Sequence, residues 1–379
     1  MKIVADDKIH FLEGVFEPFA EVKYLPGPAI KKRDVQDADV LIVRTRTHCE
    51  KSLLSGTTVK YVASATIGTN HLDIAWLKSA GIEWDNAPGC NAGSVCQYIA
   101  SILALLINDG LKPEETTIGI VGVGVIGVKV EKMAKILGFK VILNDPPRAR
   151  REQPDDQSSP ITSFADYNNV LEESDIILYS PTLSFAGVDA SYHLFDFDTL
   201  DKIKQGAIII NISRGEVVSD HALLKGLETG KISKVALDVW ENEPDITMEL
   251  LEKAWVATPH IAGFSADGKS NGTIMSVRNV SRFFNLGLDD WKPRSIPLPE
   301  CTTIKIDAID KKPYQVAAEA FLKTYNIMED DTRLRANPAD FELQRDNYPL
   351  RREFHAWNVE LLQDNSCREM LKSLGFNVL

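Results

Sequence analysis

The chain has 379 residues, 44% of them hydrophobic and 25% charged, with 23 glycines and 18 prolines. That length predicts two or three domains at about 100–200 residues each, and the apolar content excludes a disordered chain. The net charge of -12 argues against a general nucleic-acid or anionic-membrane binder and leaves room for a local basic site.

From the N-terminus, Met1–His10 turns charged at once and lacks the apolar stretch of a secretory signal. Val40–Val43 and Tyr61–Ala63 read as strands, with a helical pattern over Asp73–Ala80. A long apolar helix follows over Gly93–Asn108; its mostly apolar run, Ile99–Ile107, is too short to cross a bilayer. The strand–helix rhythm then restarts. Strands are predicted at Ile118–Val121, Val141–Leu143, Ile176–Leu178, Ala207–Ile210 and Val235–Leu237, and helices at Val125–Leu137, Tyr167–Glu173 and His221–Glu228. The near-continuous apolar strands fit a parallel sheet buried on both faces. Their alternation with helices predicts an α/β doubly wound fold. A helix over Ala266–Asn285 closes this series, and the Pro-rich run Lys292–Pro299 reads as a linker. Beyond it, a strand at Thr303–Ile306 and helices near Pro313–Met328 and Asn365–Leu374 suggest a third, smaller α/β unit.

The strongest local motif is the GxGxxG of Gly122, Gly124 and Gly127, with Val125 and Ile126 between the last two. It follows an apolar strand and opens a helix, the context a dinucleotide site requires. Gly122 suits a tight turn, Gly124 a close approach of backbone to pyrophosphate, and Gly127 close helix–strand packing. The helix N-terminus offers unpaired N–H groups to phosphate. Asp145, at the end of the second strand, stands where a carboxylate holds the ribose hydroxyls of NAD and repels the 2′-phosphate of NADP. Arg148, Arg150 and Arg151 follow it and weaken that preference. The competing reading is a Gly-rich packing turn.

Three polar residues come just after strands of the second series: Arg214 in Asn-Ile-Ser-Arg-Gly, Glu243 in Trp-Glu-Asn-Glu-Pro and His260 in Thr-Pro-His-Ile-Ala-Gly. Ligands of open α/β sheets bind beyond the carboxyl ends of the strands, so all three can serve one crevice. A histidine titrates near working pH and suits removal of a proton from an alcohol. A carboxylate on its other nitrogen fixes the tautomer, and an arginine fork grips a carboxylate or polarises a carbonyl. Singly, each residue also fits a bland role as surface ion-pair partner, solvated acid or turn histidine.

With these motifs in view, the chain resembles the NAD-dependent D-2-hydroxyacid dehydrogenase family. The resemblance implies that Arg214, Glu243 and His260 are catalytic. It implies that Asp145, Asp238, Gly263 and a hydroxyl at Ser180 or Thr182 serve NAD, and that Thr45, Thr66 and Phe264 contact substrate. Serine is common in the family where Thr45 stands and tyrosine where Phe264 stands; the familiar Thr-Pro pair is here Ser180-Pro181. The implied architecture is a Rossmann cofactor domain over 93–265, inserted in a flavodoxin-like substrate domain of 1–92 and 266–287. A C-terminal dimerisation domain over 288–379 completes it. Pro88–Ala92, Asp145–Ala149 and Asn347–Glu353 resemble a branch of the family that forms homodimers and acts on a phosphorylated 2-hydroxy acid.

A phosphorylated substrate needs cations or backbone amides. Arg44 and Arg46, just after a strand, are the candidates, against a structural ion pair. Relatives acting on 3-phosphoglycerate or glycerate, and an NAD-sensing corepressor-like protein on the same fold, are the rival readings. Five cysteines without CxxC or CxxH spacing fit reduced thiols and a cytoplasmic enzyme. His48-Cys49 lacks companions at metal-ligand spacing, so no metal is expected. Neither nucleic acid nor membrane is expected as a partner. Cys90 reads as a buried thiol and His71 as a structural hydrogen-bonder, while Arg345, Arg351 and Arg352 could reach a neighbouring subunit or lie in surface ion pairs.

Overall fold

The computed structural model describes residues 1–152, 164–363 and 366–379. The chain forms two compact units, Met1–Asn91 with Phe264–Pro297 and Ala92–Gly263 with Leu298–Leu379.

The first unit carries five strands: β1 (Lys2–Asp6), β2 (Glu21–Leu25), β3 (Val40–Val43), β4 (Tyr61–Ser64) and β5 (Glu83–Asp85). They form one parallel sheet in the order β2-β1-β3-β4-β5. β3 and β4 are buried along their whole length, as strands covered on both faces must be. Helix Ala266–Phe284 returns to cover one face, packing Val277 and Val280 among Ile3, Phe16, Ile42 and Tyr61. Each such buried valine contributes about 2 kcal/mol by transfer from water. Leu53, Leu54, Leu72 and Leu77 fill the other face.

The second unit holds six parallel strands, β6 (Thr117–Val121), β7 (Lys140–Asn144), β8 (Ile176–Tyr179), β9 (Ala207–Asn211), β10 (Ile232–Leu237) and β11 (Val256–Ala257). Their order is β11-β10-β9-β8-β6-β7. The order reverses between β6 and β8, a switch point of the kind at which doubly wound sheets bind ligands. The tail adds a separate parallel sheet of β12 (Thr303–Asp307), β13 (Asn358–Leu362) and β14 (Asn377–Val378). The α/β doubly wound reading therefore holds, with a small C-terminal α/β region.

Helix Ala92–Asn108 shows how the tail is held. Thirteen of its residues are buried, among them the polar Ser94, Gln97 and Ser101. The tail bonds all three, although Gln97 Oε1 is left without a partner among the described residues. Ser94 Oγ donates to Glu353 at 2.9 Å, Gln97 Nε2 to the Arg352 carbonyl at 2.9 Å, and Ser101 Oγ to the Tyr325 carbonyl at 2.9 Å. Buried polar groups need such partners, so these residues fix the tail's register on the helix.

The helical pattern expected over Pro313–Met328 is two helices, Pro313–Thr324 and Ile327–Ala336. Tyr325 is extended, and the Asn326 side chain caps the second helix by accepting from the Met328 N–H. The helix expected over Asn365–Leu374 runs over Arg368–Ser373, and residue 365 lies outside the described residues. Among the described residues no helix is long and apolar enough to cross a membrane.

Candidate active site

The glycine motif sits where β6 turns into helix Val125–Leu137. Gly122 has φ +87°, and a Cβ there would lie 2.5 Å from the Pro181 nitrogen. Both facts demand glycine. A Cβ on Gly127 would meet the Gly122 carbonyl oxygen at 2.5 Å, whereas Gly124 faces open space. Gly124 caps the helix without a side-chain hydrogen bond, so the first N–H groups keep room for an anion. Val125 is 54% exposed beside it, Ile126 is half-buried and Gly127 is buried. This uncrowded helix start fits a pyrophosphate.

Asp145 is tied into the same loop. One carboxylate oxygen accepts the Val123 N–H at 2.8 Å and the other the Arg148 N–H at 2.9 Å. The arginines that follow are engaged elsewhere: Arg148 with Glu152 and the Val123 carbonyl, Arg150 with Asp189. Ser180 Oγ donates to the Gly122 carbonyl at 2.7 Å, locking the turn, while Thr182 is exposed. Of the two hydroxyls, that of Thr182 is the more exposed.

The catalytic candidates stand beyond three neighbouring strands, β9, β10 and β11. Asn211 organises the Arg214 turn: its Nδ2 donates to the Arg214 carbonyl at 2.9 Å and its Oδ1 accepts from Ser213 Oγ at 2.8 Å. The half-buried Arg214 donates from Nη1 to the Ser213 carbonyl at 2.7 Å. A Cβ on the next residue, Gly215, would sit 1.9 Å from the Trp240 carbonyl carbon. The Arg214 turn therefore abuts the loop that bears Glu243, and only glycine allows that approach.

His260 Nδ1 and Glu243 Oε2 are 2.7 Å apart, and Glu243 Oε1 accepts the Trp240 N–H at 2.9 Å. Burial pushes the Glu243 carboxyl up, but the His260 charge and hydrogen bond and the Trp240 N–H outweigh it, holding the group below its ordinary value. The other glutamate of the run, Glu241, pairs with His193 instead. With Nδ1 engaged, Nε2 of His260 is the nitrogen left for proton exchange.

His260 has φ +54°, a left-handed conformation that costs a non-glycine residue about 1–2 kcal/mol. Asp238, only 2% exposed, enforces it. Its backbone carbonyl accepts the His260 N–H at 2.7 Å, and its carboxylate accepts the Ile261 and Ala262 N–H groups at 2.7 and 2.9 Å. Thr258 Oγ1 donates to the same carboxylate at 2.7 Å and lies 2.8 Å from the Tyr98 hydroxyl. Burial raises the Asp238 carboxyl above its ordinary value despite these donors. Gly263 ends the first of this unit's two segments. The sequence reading missed this scaffold, of which Asp238 was named only as a cofactor neighbour.

The substrate-contact candidates lie in the first unit. Arg44 donates from Nε to Asp6 Oδ2 at 3.1 Å, and Asp6 is fully buried. Thr45 is exposed, Thr66 lies 2.9 Å from Ser64 Oγ, and the half-buried Phe264 carries Lys269 Nζ 5.4 Å from its ring centre. His10 is held below its ordinary value by local desolvation and then by the charges of Lys269 and Arg44. Lys269 and His10 are thus neighbours of Arg44 that no sequence motif singled out. His71 is buried, hydrogen bonds to Ser64 at 3.0 Å and is pushed down to about 4 by burial, in keeping with a structural role. Cys90 is buried.

Residues 107–262 match the model of the D-isomer specific 2-hydroxyacid dehydrogenase NAD binding domain, and residues 296–375 match a domain of unknown function. The chain is 46% identical over 363 residues to the erythronate-4-phosphate dehydrogenase of Bacteroides thetaiotaomicron, covering 95% of this chain and 99% of that one. It is 37% identical over 383 residues to the erythronate-4-phosphate dehydrogenase of Escherichia fergusonii, covering 100% and 99%. Among solved structures, the D-lactate dehydrogenase of Aquifex aeolicus, complexed with NAD and lactic acid, aligns with a TM-score of 0.60 at 21% identity. It covers 76% of this chain and 97% of its own. The NAD-dependent formate dehydrogenase of Staphylococcus aureus, in complex with NAD, aligns at 0.62 and 20% identity, covering 79% and 99%. Both share the fold. The chain belongs to the erythronate-4-phosphate dehydrogenase family, among the D-isomer specific 2-hydroxyacid dehydrogenases.

Proposed function

We propose that the protein oxidises 4-phospho-D-erythronate at C2 to 3-hydroxy-2-oxo-4-phosphobutanoate, a step in pyridoxal 5′-phosphate biosynthesis. The observation that carries this reading is the 2.7 Å His260–Glu243 contact on the NAD-binding domain of a chain so similar to erythronate-4-phosphate dehydrogenases. Gly122, Gly124, Val125, Ile126 and Gly127 would cradle the pyrophosphate, Asp145 the adenosine ribose, and Thr182, Asp238 and Gly263 the nicotinamide side. Held there, NAD would supply the acceptor for the hydride that leaves C2.

His260 Nε2 takes the C2 hydroxyl proton as general base. Glu243, kept anionic, stabilises the resulting imidazolium through Nδ1 and holds the tautomer. Arg214 binds the substrate carboxylate and polarises the developing C2 carbonyl. Arg44, Thr45, Thr66 and Phe264 supply the remaining substrate contacts, with Arg44 on the phosphate. The free cysteines support a cytoplasmic setting. A homodimer is expected from the resemblance of the tail.

The test is a panel of 2-hydroxy acids followed by NADH absorbance. NADH formation with 4-phosphoerythronate well above 3-phosphoglycerate and glycerate is the expected result. Preference for either of the latter overturns the substrate, and no NADH with any of them overturns the enzymatic reading.

A further inference from the structure

His260 is held in a left-handed conformation by Asp238 on one side of its loop. The other side of that loop is gripped from the tail. Arg351 donates from Nη2 to the Ala262 carbonyl at 2.5 Å, two residues beyond His260. Ala262 is therefore clamped at both ends of its backbone: its N–H by the Asp238 carboxylate at 2.9 Å, its carbonyl by Arg351.

The clamp is itself rigid. Arg351 is 5% exposed, and its guanidinium lies 4.5 Å from the Tyr325 ring centre and 5.7 Å from that of Tyr348. Such cation–aromatic contacts are strongest when desolvated. Both tyrosines are fixed in turn, because their hydroxyls donate to the same oxygen of Asp330, at 2.6 and 2.7 Å. Asp330 is 2% exposed and also pairs with Arg333. Burying a guanidinium is costly unless its contacts are specific. Here Nη1 donates to the Tyr348 hydroxyl at 3.5 Å, and the shorter bond, from Nη2, falls on the peptide that closes the His260 loop.

We propose that Arg351 is a positioning residue for the reaction. The Asp330–Tyr325–Tyr348 cluster aims it, it fixes the Ala262 carbonyl, and it thereby keeps His260 at hydrogen-bonding distance from Glu243. This gives the tail a role in the chemistry of its own chain: it forms the outer wall of the proton-transfer loop. The proposal rests on the reading of His260 as the base.

The variants are Arg351→Met, of similar volume without the charge, and Arg351→Lys, which keeps a donor but not the planar fork. The full-length protein is labelled with 15N-histidine, and the His260 imidazole signals are assigned by their loss in His260→Ala. The wild type shows a strongly hydrogen-bonded Nδ1 proton. Arg351→Met loses that signature, and Arg351→Lys retains it in part. Retention of the wild-type signature in a folded Arg351→Met overturns the proposal, whatever the substrate proves to be. In turnover with 4-phosphoerythronate, Arg351→Met lowers kcat by about 10–100-fold, from loss of a charged hydrogen bond. KM and the NAD dissociation constant stay within about threefold. Guanidinium added at millimolar concentration restores part of the rate to Arg351→Ala, and urea does not. An unchanged kcat, or a loss confined to KM or to NAD affinity, overturns the proposal. If Arg351→Met fails to fold, Arg351→Lys decides by the same two readouts. A wild type that makes no NADH defeats the functional reading and leaves the imidazole readout to decide the positioning role.

Discussion

Glu243→Gln is the sharpest probe of the proton-transfer pair. The glutamine oxygen can still accept the Trp240 N–H, which lies 2.9 Å from Oε1. The side chain therefore stays anchored, and its amide nitrogen takes the place of Oε2, 2.7 Å from His260 Nδ1. An amide donor there favours an unprotonated Nδ1 and moves the ring proton to Nε2, the atom proposed to accept the substrate proton. Loss of the charged hydrogen bond alone costs about 1.5–3 kcal/mol, or about 10–150-fold in kcat. Inversion of the tautomer adds to this, and the analogous carboxylate-to-amide change in a Ser-His-Asp triad costs about 10⁴-fold. We expect kcat to fall by about 10²–10⁴-fold, with NAD affinity preserved. Initial rates of NADH formation at saturating substrate measure the first, and fluorescence titration with NAD the second. Because Glu243 is held below its ordinary value, the stability it lends is present above that value and lost only as pH falls through the folded one. The stability difference from the variant should therefore vanish in acid. A variant with kcat within about threefold of wild type would refute the reasoning.

Two further perturbations test the surroundings. Arg44→Ala should raise KM for the phosphorylated substrate far more than for an unphosphorylated analogue; equal effects would leave Arg44 only its structural pair with Asp6. Asp220→Asn should stabilise the protein at neutral pH. Burial raises the Asp220 carboxyl to about 6, while a Thr247 hydrogen bond of 2.6 Å opposes the shift. A raised carboxyl contributes its stability below the unfolded value and loses it as pH rises through the folded one. At about pH 8 the variant should therefore gain at most about 3 kcal/mol, and at about pH 3 nothing. Thermal melts at the two pH values check this, and an equal gain at both would overturn the assignment to ionisation.

Much of the second unit could be read from residues alone. Thr117–Val121 and Val125–Leu137 announce themselves by apolar runs around a glycine turn, and helix Tyr167–Glu173 falls within its expected bounds. The trio proposed as catalytic was visible because each member lies in the loop that follows a strand. The strands Lys2–Asp6 and Glu21–Leu25 were not singled out, because charged residues at their ends blur the period of two. The Asp238 scaffold was hidden for a different reason: its partners are backbone N–H groups, which leave no mark on side-chain identity. Arg351 was read as a surface or intersubunit arginine. Its true partner is a carbonyl 89 residues earlier in the chain, and no local spacing encodes a contact of that separation. Arg44 kept two readings, and its bond to Asp6 occupies Nε while saying nothing about the other two nitrogens.

Each compact unit is discontinuous along the chain, and this governs the order in which the protein can acquire structure during synthesis. The sheet of the first unit lacks its cover until Val277 and Val280 have emerged, although Ile3 and Phe16 were made long before. The buried polar face of helix Ala92–Asn108 waits longer still, for Tyr325, Arg352 and Glu353. The first unit can complete its core only after Phe264–Pro297 has emerged and the second only after the tail, so neither closes early as contiguous domains commonly do. Parallel strands already fold slowly, because their contacts are distant in sequence. Nascent chains should therefore expose the apolar face of the first sheet until helix Ala266–Phe284 has emerged, and holdase chaperones should find their binding sites in the β3 and β4 segments.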